Sequence, residues 1–220
     1  HNGLHLEGKM TDILEKLGTE KPVHAMSSAL QPHELIAVGP NTYDPHIWFD
    51  LQLWNRCVGE LADFLIDQFP EHRQAIEQNA MDYFSELVTA HDEMIRAISE
   101  VPDSLRAMVT AHDAFSYFGR AYGIEVRGLQ GISTAAEFGV NDMRTSATFI
   151  IEKQLNTVFT ETSVNPKSIQ ALQEAVEQMG GEVTIGAPLF SDALGAPGTP
   201  EATLIGAFKH NTTQVLKSFE

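Results

Sequence analysis

Residues 107–129 read Ala-Met-Val-Thr-Ala-His-Asp-Ala-Phe-Ser-Tyr-Phe-Gly-Arg-Ala-Tyr-Gly-Ile-Glu-Val-Arg-Gly-Leu. An apolar run, Ala107–Thr110, predicts a buried strand. Ala114 to Tyr122 predicts a helix, stopped by Gly123, and Glu125 to Leu129 a second strand. The same alternation continues with a helix over Asn141–Gln154, a strand over Thr157–Thr160, a helix over Lys167–Met179 ended by Gly180-Gly181, a strand over Glu182–Gly186 and a terminal helix over Glu201–Phe219. Strands separated by helices imply a parallel sheet with right-handed crossovers. Ligands bind such sheets at the C-terminal edge of the strands. His112, Glu161 and Asp192 each follow a predicted strand on that edge.

Upstream, Pro70 to Glu100 contains no internal Gly or Pro, and Ile76, Ala80, Tyr83, Phe84, Leu87, Met94, Ile95 and Ile98 recur at helical intervals. A helix of roughly thirty residues is about 45 Å long, more than a small domain needs. It is expected to be a strut between two lobes. The division that follows is 1–69 for the N-terminal lobe, 70–101 for the connecting helix and 102–220 for the C-terminal lobe. Before it, Met10, Ile13, Leu14 and Leu17 predict a short helix closed by Gly18, and Val23 to Leu30 reads as a strand. Asp44, held extended by Pro45, is the expected N-cap of a helix running to Phe69, with His46 in its first turn.

The chain has 220 residues, 43% hydrophobic and 20% charged, so it is long enough for one large or two small domains with real cores. A net charge of −16 and the lack of Lys/Arg clusters argue against nucleic acid. No apolar stretch is long enough to span a membrane. Cys57 is the single cysteine, so any metal must be held by His and carboxylate. Cys57 itself falls in an apolar helical run, where a buried hydrophobe is expected rather than a nucleophile.

Among nine histidines, two have distinctive surroundings. His46 and His112 each lie in a short turn entering a helix, beside an acidic residue, Asp44 or Asp113, able to receive the second ring N–H or to cap the backbone. Asp192 is the one carboxylate in the long loop between Pro188 and Pro200. Taken alone it reads better as a loop cap. Glu161 either orients a ligand or caps the helix opened by Asn165-Pro166. The phrase Val-Thr-Ala-His-Asp occurs at 88–92 and again at 109–113; the first copy lies inside the long helix and is read as coincidence. His5, His24, His33, His72 and His210 have less context.

The segments Asn2-Gly3-Leu4-His5-Leu6-Glu7, Asp44-Pro45-His46-Ile47-Trp48, Thr110-Ala111-His112-Asp113-Ala114-Phe115, Gly128-Leu129-Gln130-Gly131-Ile132-Ser133 and Phe190-Ser191-Asp192-Ala193-Leu194-Gly195 resemble, in order, those of the zinc/manganese solute-binding proteins of bacterial ABC importers. The resemblance implies an α/β fold of two lobes with parallel sheets joined by a long rigid helix, and a metal held between the lobes. It implies His46, His112 and Asp192 as metal ligands; Glu161 and Asp113 stand beside them as supporting groups from their own positions in the sequence. It also implies a Zn²⁺ or Mn²⁺ cargo, an ABC permease partner, a monomer, a periplasmic or membrane-associated extracellular location, and no enzymatic turnover. The order of divalent-metal affinities favours zinc over manganese.

One departure stands out. The family usually carries a further histidine in a segment of the type Asp-Pro-His-x-Tyr-Glu near the first strands, and none occurs between His1 and Tyr43. The chain also opens without Met. The expectation is an N-terminally shortened form with an incomplete N lobe, three protein ligands and an open metal position for water or for a carboxylate such as Glu161. Two other classes are kept beside this one. A metal-dependent hydrolase would use the open His/His/Asp site to activate water, although no His-Glu-x-x-His helix or nucleophile motif is present. A surface adhesin would carry the metal incidentally.

Overall fold

In the computed structural model, which describes residues 1–132 and 139–220, the chain divides into two compact units, His1–His91 and Asp92–Glu220. Ser133, the last residue of the segment beginning at Gly128, lies outside the described residues. The expected α/β class, with parallel strand pairing and one long helix, is the architecture found.

Unit 1 opens with α1 (Met10–Leu17) and an antiparallel pair, β1 (Ala37–Gly39) and β2 (Thr42–Tyr43), turned through Asn41 at φ 54°. The strand expected over Val23–Leu30 does not form. Met26 N–H and Ser27 N–H bond the carbonyls of His1 and Asn2, and Ser28 Oγ folds back on Ala25 O, so residues 26–29 close into a 3₁₀ turn. Polar side chains that bond their own backbone compete with a ladder in this way. Parallel pairing among the described residues lies in unit 2.

The next helix, α2 (Leu51–Gln68), begins seven residues beyond the expected cap. Asp44 is occupied by His46, as described below, and residues 47–49 form a 3₁₀ turn. Asp50 is the cap instead: its carboxylate accepts from Gln52 N–H and Leu53 N–H. Cys57 is fully buried on this helix. After a 3₁₀ turn at Pro70–His72 comes α3 (Arg73–Ser99), 27 residues without a break, and the boundary between the units falls within it.

Unit 2 begins with the βαβ unit read from residues 107–129: β3 (Ala107–His112), α4 (Ser116–Tyr122) and β4 (Glu125–Gln130). The strands pair parallel from Ala107↔Glu125 to His112↔Gln130. Gly123, at φ 67°, ends α4 in the left-handed region, where lack of a Cβ costs nothing. Then follow α5 (Val140–Lys153), β5 (Thr157–Val158), α6 (Lys167–Gln178), β6 (Thr184–Ile185) and α7 (Leu204–Lys217). β5 pairs parallel with β6, and Phe159 N–H bonds Val109 O, which ties β5 to β3. A further parallel bridge, Glu161↔Leu189, extends this edge.

Every residue of β3 is buried. Val109 and Ala111 pack with Leu129, Ala147, Ile150, Val158, Ile169, Leu172 and Val176 in one core cluster. That packing holds the C-terminal end of β3, and with it His112, in a fixed place. No helix of the described residues is long and apolar enough to cross a membrane.

Candidate metal centre

In unit 1, Asp44 precedes a proline and stands two residues before His46. Its Oδ1 accepts the backbone N–H of His46 at 2.9 Å and lies 2.6 Å from the ring Nδ1. A carboxylate only accepts, so Nδ1 carries the hydrogen and Nε2 is the nitrogen this ring can offer to a metal. The turn is fixed from its other side by Asn2, whose Nδ2 donates to Pro45 O at 2.9 Å. Both Asp44 and His46 are buried.

In unit 2, His112 is the last residue of β3. Thr110 Oγ1 and Ala114 N–H both donate to its carbonyl, at 2.8 and 3.0 Å. Glu161, 49 positions later in the chain, reaches it from the edge of the neighbouring strand. Oε1 of Glu161 accepts the backbone N–H of His112 at 2.8 Å, and Oε2 lies 2.5 Å from Nδ1. The two units thus use one device twice: a buried carboxylate grips both the backbone and the Nδ1 of a buried histidine.

The other nitrogen, His112 Nε2, faces Asp192 Oδ2 at 3.4 Å. That is long for a charge-assisted hydrogen bond, which settles near 2.7–2.9 Å. Two atoms each about 2.0–2.1 Å from a tetrahedral ion stand about 3.3 Å apart, so the spacing suits a shared metal. Asp192 is partly exposed while His112 is not. Burial alone would lower the His112 pKa, but hydrogen bonds and charge from Asp192 and Glu161 outweigh it and raise the value to about 9. Without metal the ring is therefore an imidazolium held between two carboxylates.

The structure brings His112, Glu161 and Asp192 together in unit 2 and His46 with Asp44 in unit 1. Asp113, named beside His112 from the sequence, turns elsewhere: its Oδ1 accepts from Ser116 Oγ at the start of α4. Of the two roles open to Glu161, its side chain takes the grip on His112. The sequence signal for this was a glutamate closing an apolar strand on the sheet's C-terminal edge. Gly128 is a further contributor: a Cβ there would lie 2.4 Å from Asp113 N and 2.7 Å from His112 C, so only glycine admits the approach of β4 to this turn. His210 is engaged with Pro188 O at 3.0 Å. His91 meets Gln52 Nε2 through its Nε2.

Residues 1–218 match the family described as ZnuA, zinc-uptake complex component A, periplasmic. The manganese-binding lipoprotein MntA of Bacillus subtilis is 41% identical over all of this chain and 72% of its own length. The zinc-binding protein TroA of Treponema pallidum is 39% identical over 98% of the chain and 70% of its own. The solved structure of that periplasmic zinc-binding protein superposes with a TM-score of 0.95 at 38% identity, covering 99% of this chain and 79% of that one. Fe(III)-bound YtgA from Chlamydia trachomatis superposes with a TM-score of 0.87 at 25% identity, covering 100% and 79%.

Proposed function

This chain belongs to the ZnuA family of periplasmic zinc-uptake components, and from that premise we propose that it captures one divalent transition metal outside the cytoplasm and delivers it to an ABC permease. His46, His112 and Asp192 are the ligands of this reading, each imidazole offering Nε2 and Asp192 a carboxylate oxygen. Asp44 and Glu161 hold the two rings so that Nε2 is presented and Nδ1–H is spent on a carboxylate, which also makes each ring a better donor.

The observation that carries the proposal is the pairing of Glu161 with His112 on one nitrogen and Asp192 with it on the other. A histidine placed in this way exchanges a proton for a metal with little movement of its own. The cargo is Zn²⁺ or Mn²⁺, these being the metals named for TroA and MntA. Affinity order favours Zn²⁺ for two imidazoles and a carboxylate, so Mn²⁺ capture would depend on availability.

The protein acts as a monomeric receptor without turnover. Hydrolase and adhesin readings draw no support from the relatives. We further propose that α3, unbroken across the boundary of the two units, restrains bending, so that metal enters through local loop movement. The test is calorimetric titration of chelator-stripped protein with Zn²⁺ and, separately, Mn²⁺, together with an esterase and phosphatase assay of the Zn²⁺-loaded protein. Saturable one-to-one binding without turnover is expected. Metal-dependent turnover would transfer the site to the hydrolase class.

A further inference from the structure

Asp192 lies in a loop, between Pro188 and Pro200, that belongs to no strand or long helix. Loops are the mobile parts of a fold unless something ties their backbone. Here the three residues before Asp192 are tied one after another. Leu189 N–H bonds Thr160 O and Leu189 O accepts Thr162 N–H, both at 2.9 Å, so Leu189 flanks Glu161 as a strand partner. Ser191 Oγ meets Ser163 Oγ at 2.8 Å. Between them, Phe190 lies outside the named strands, and its backbone N–H and C=O both bond a single side chain on α7.

That side chain is Asn211. Its Oδ1 accepts Phe190 N–H at 2.9 Å and its Nδ2 donates to Phe190 O at 2.7 Å. The carboxamide thus imitates the edge of a β-strand and satisfies both groups at once. Asn211 is 1% exposed and shares the buried face of α7 with Ala207, Phe208 and Val215. An apolar residue would fill such a position without any desolvation cost, whereas a buried amide is tolerated only when its hydrogen bonds are made. Its neighbour His210 adds a contact to Pro188 O and an edge-on ring contact with Phe190.

We infer that Asn211 is a positioning residue for metal capture: by holding Phe190 at both backbone groups it sets where the Asp192 carboxylate stands opposite His112. The inference rests on the reading of Asp192 as a ligand. Glu161 and Asn211 then divide the work, one orienting the imidazole and the other the carboxylate, and α7 becomes the element through which the loop communicates with the core.

The test uses the chelator-stripped full chain with Co²⁺ as the probe, read by its visible ligand-field spectrum and by competition with a chelator. Four variants are compared: Asn211→Ala, the isosteric Asn211→Asp, Asp192→Ala as the reference for a lost ligand, and Val215→Ala as a core change in the same helix. In Asn211→Asp the N–H of Phe190 keeps its acceptor, but a carboxylate now faces Phe190 O. Both Asn211 variants are expected to bind at least about tenfold more weakly, the usual cost of losing support behind a ligand, with spectra shifted toward that of Asp192→Ala. Val215→Ala should lower thermal stability while keeping the parent spectrum and affinity. Parent-like spectra and affinity in the Asn211 variants, or equal losses in Val215→Ala, would overturn the inference. If Asn211→Ala does not fold, Asn211→Asp decides. If Asp192→Ala keeps the parent spectrum, the ligand reading fails and the inference with it; if only the Asn211 variants do, the inference alone fails.

Discussion

Glu161 holds His112 at two points, accepting its backbone N–H at 2.8 Å and standing 2.5 Å from its Nδ1. One side chain therefore sets the end of β3, the tautomer of the ring and the direction of Nε2. Replacing Glu161 by Gln leaves one oxygen for two N–H donors and turns an NH₂ toward one of them. Zn²⁺ affinity in Glu161→Gln is expected to fall about ten- to a hundredfold, measured by chelator competition. Circular dichroism should show the fold retained.

The same arrangement makes capture sensitive to acid. Burial opposes a charge on His112, but the carboxylates of Asp192 and Glu161 prevail and lift its pKa to about 9. Below that pH a metal must displace the Nε2 proton, so affinity should fall about tenfold per pH unit from this group, and uptake at pH 7 should release about one proton from it. Titrations in buffers of different ionisation enthalpy read that proton directly. For the metal-free protein the sign is opposite. A folded pKa above the unfolded 6.5 gives a stability contribution complete below pH 6.5 and lost as pH rises through about 9. The metal-free melting temperature should decline across that window, and less so in Asp192→Ala.

Gly128 admits β4 to the turn after His112. A Cβ there meets the backbone of Asp113 and His112 rather than a flexible side chain end. Gly128→Ala is expected to destabilise the protein by about 1–3 kcal/mol, typical of overpacking, and to weaken metal binding because the strain falls on the ligand strand. Urea unfolding and chelator competition on the same sample measure both.

Cys57 is buried on α2, and its thiol pKa is pushed up to about 11 by desolvation. The native protein should resist alkylation by iodoacetamide at pH 8 and react only once unfolded. Rapid labelling of the native chain would place Cys57 in a mobile or exposed region instead.

The elements that local pattern could reveal were readable: the unbroken apolar period of α3, the βαβ unit at 107–129 and the glycine stop of α4. What escaped depends on partners distant in sequence. Asp44 before Pro45 satisfies the local rule for a helix cap, but its carboxylate is consumed by His46, so the helix starts at the next acidic residue able to cap, Asp50. Asp113 seemed the natural support for His112 because it is adjacent. Asp113 lies past the end of β3, where its carboxylate accepts from Ser116 Oγ, and the support comes instead from Glu161, 49 positions later. Asn211 left only a faint trace, a polar residue among the apolar positions of α7.

The most direct test of this account is calorimetric titration of the chelator-stripped chain with Zn²⁺ beside His46→Ala and Asp192→Ala. One saturable site per chain is expected, with binding strongly weakened in each variant, as loss of a metal ligand requires. Parent-like binding in either variant would contradict the assignment of that residue, and turnover or a stoichiometry other than one would contradict the receptor itself.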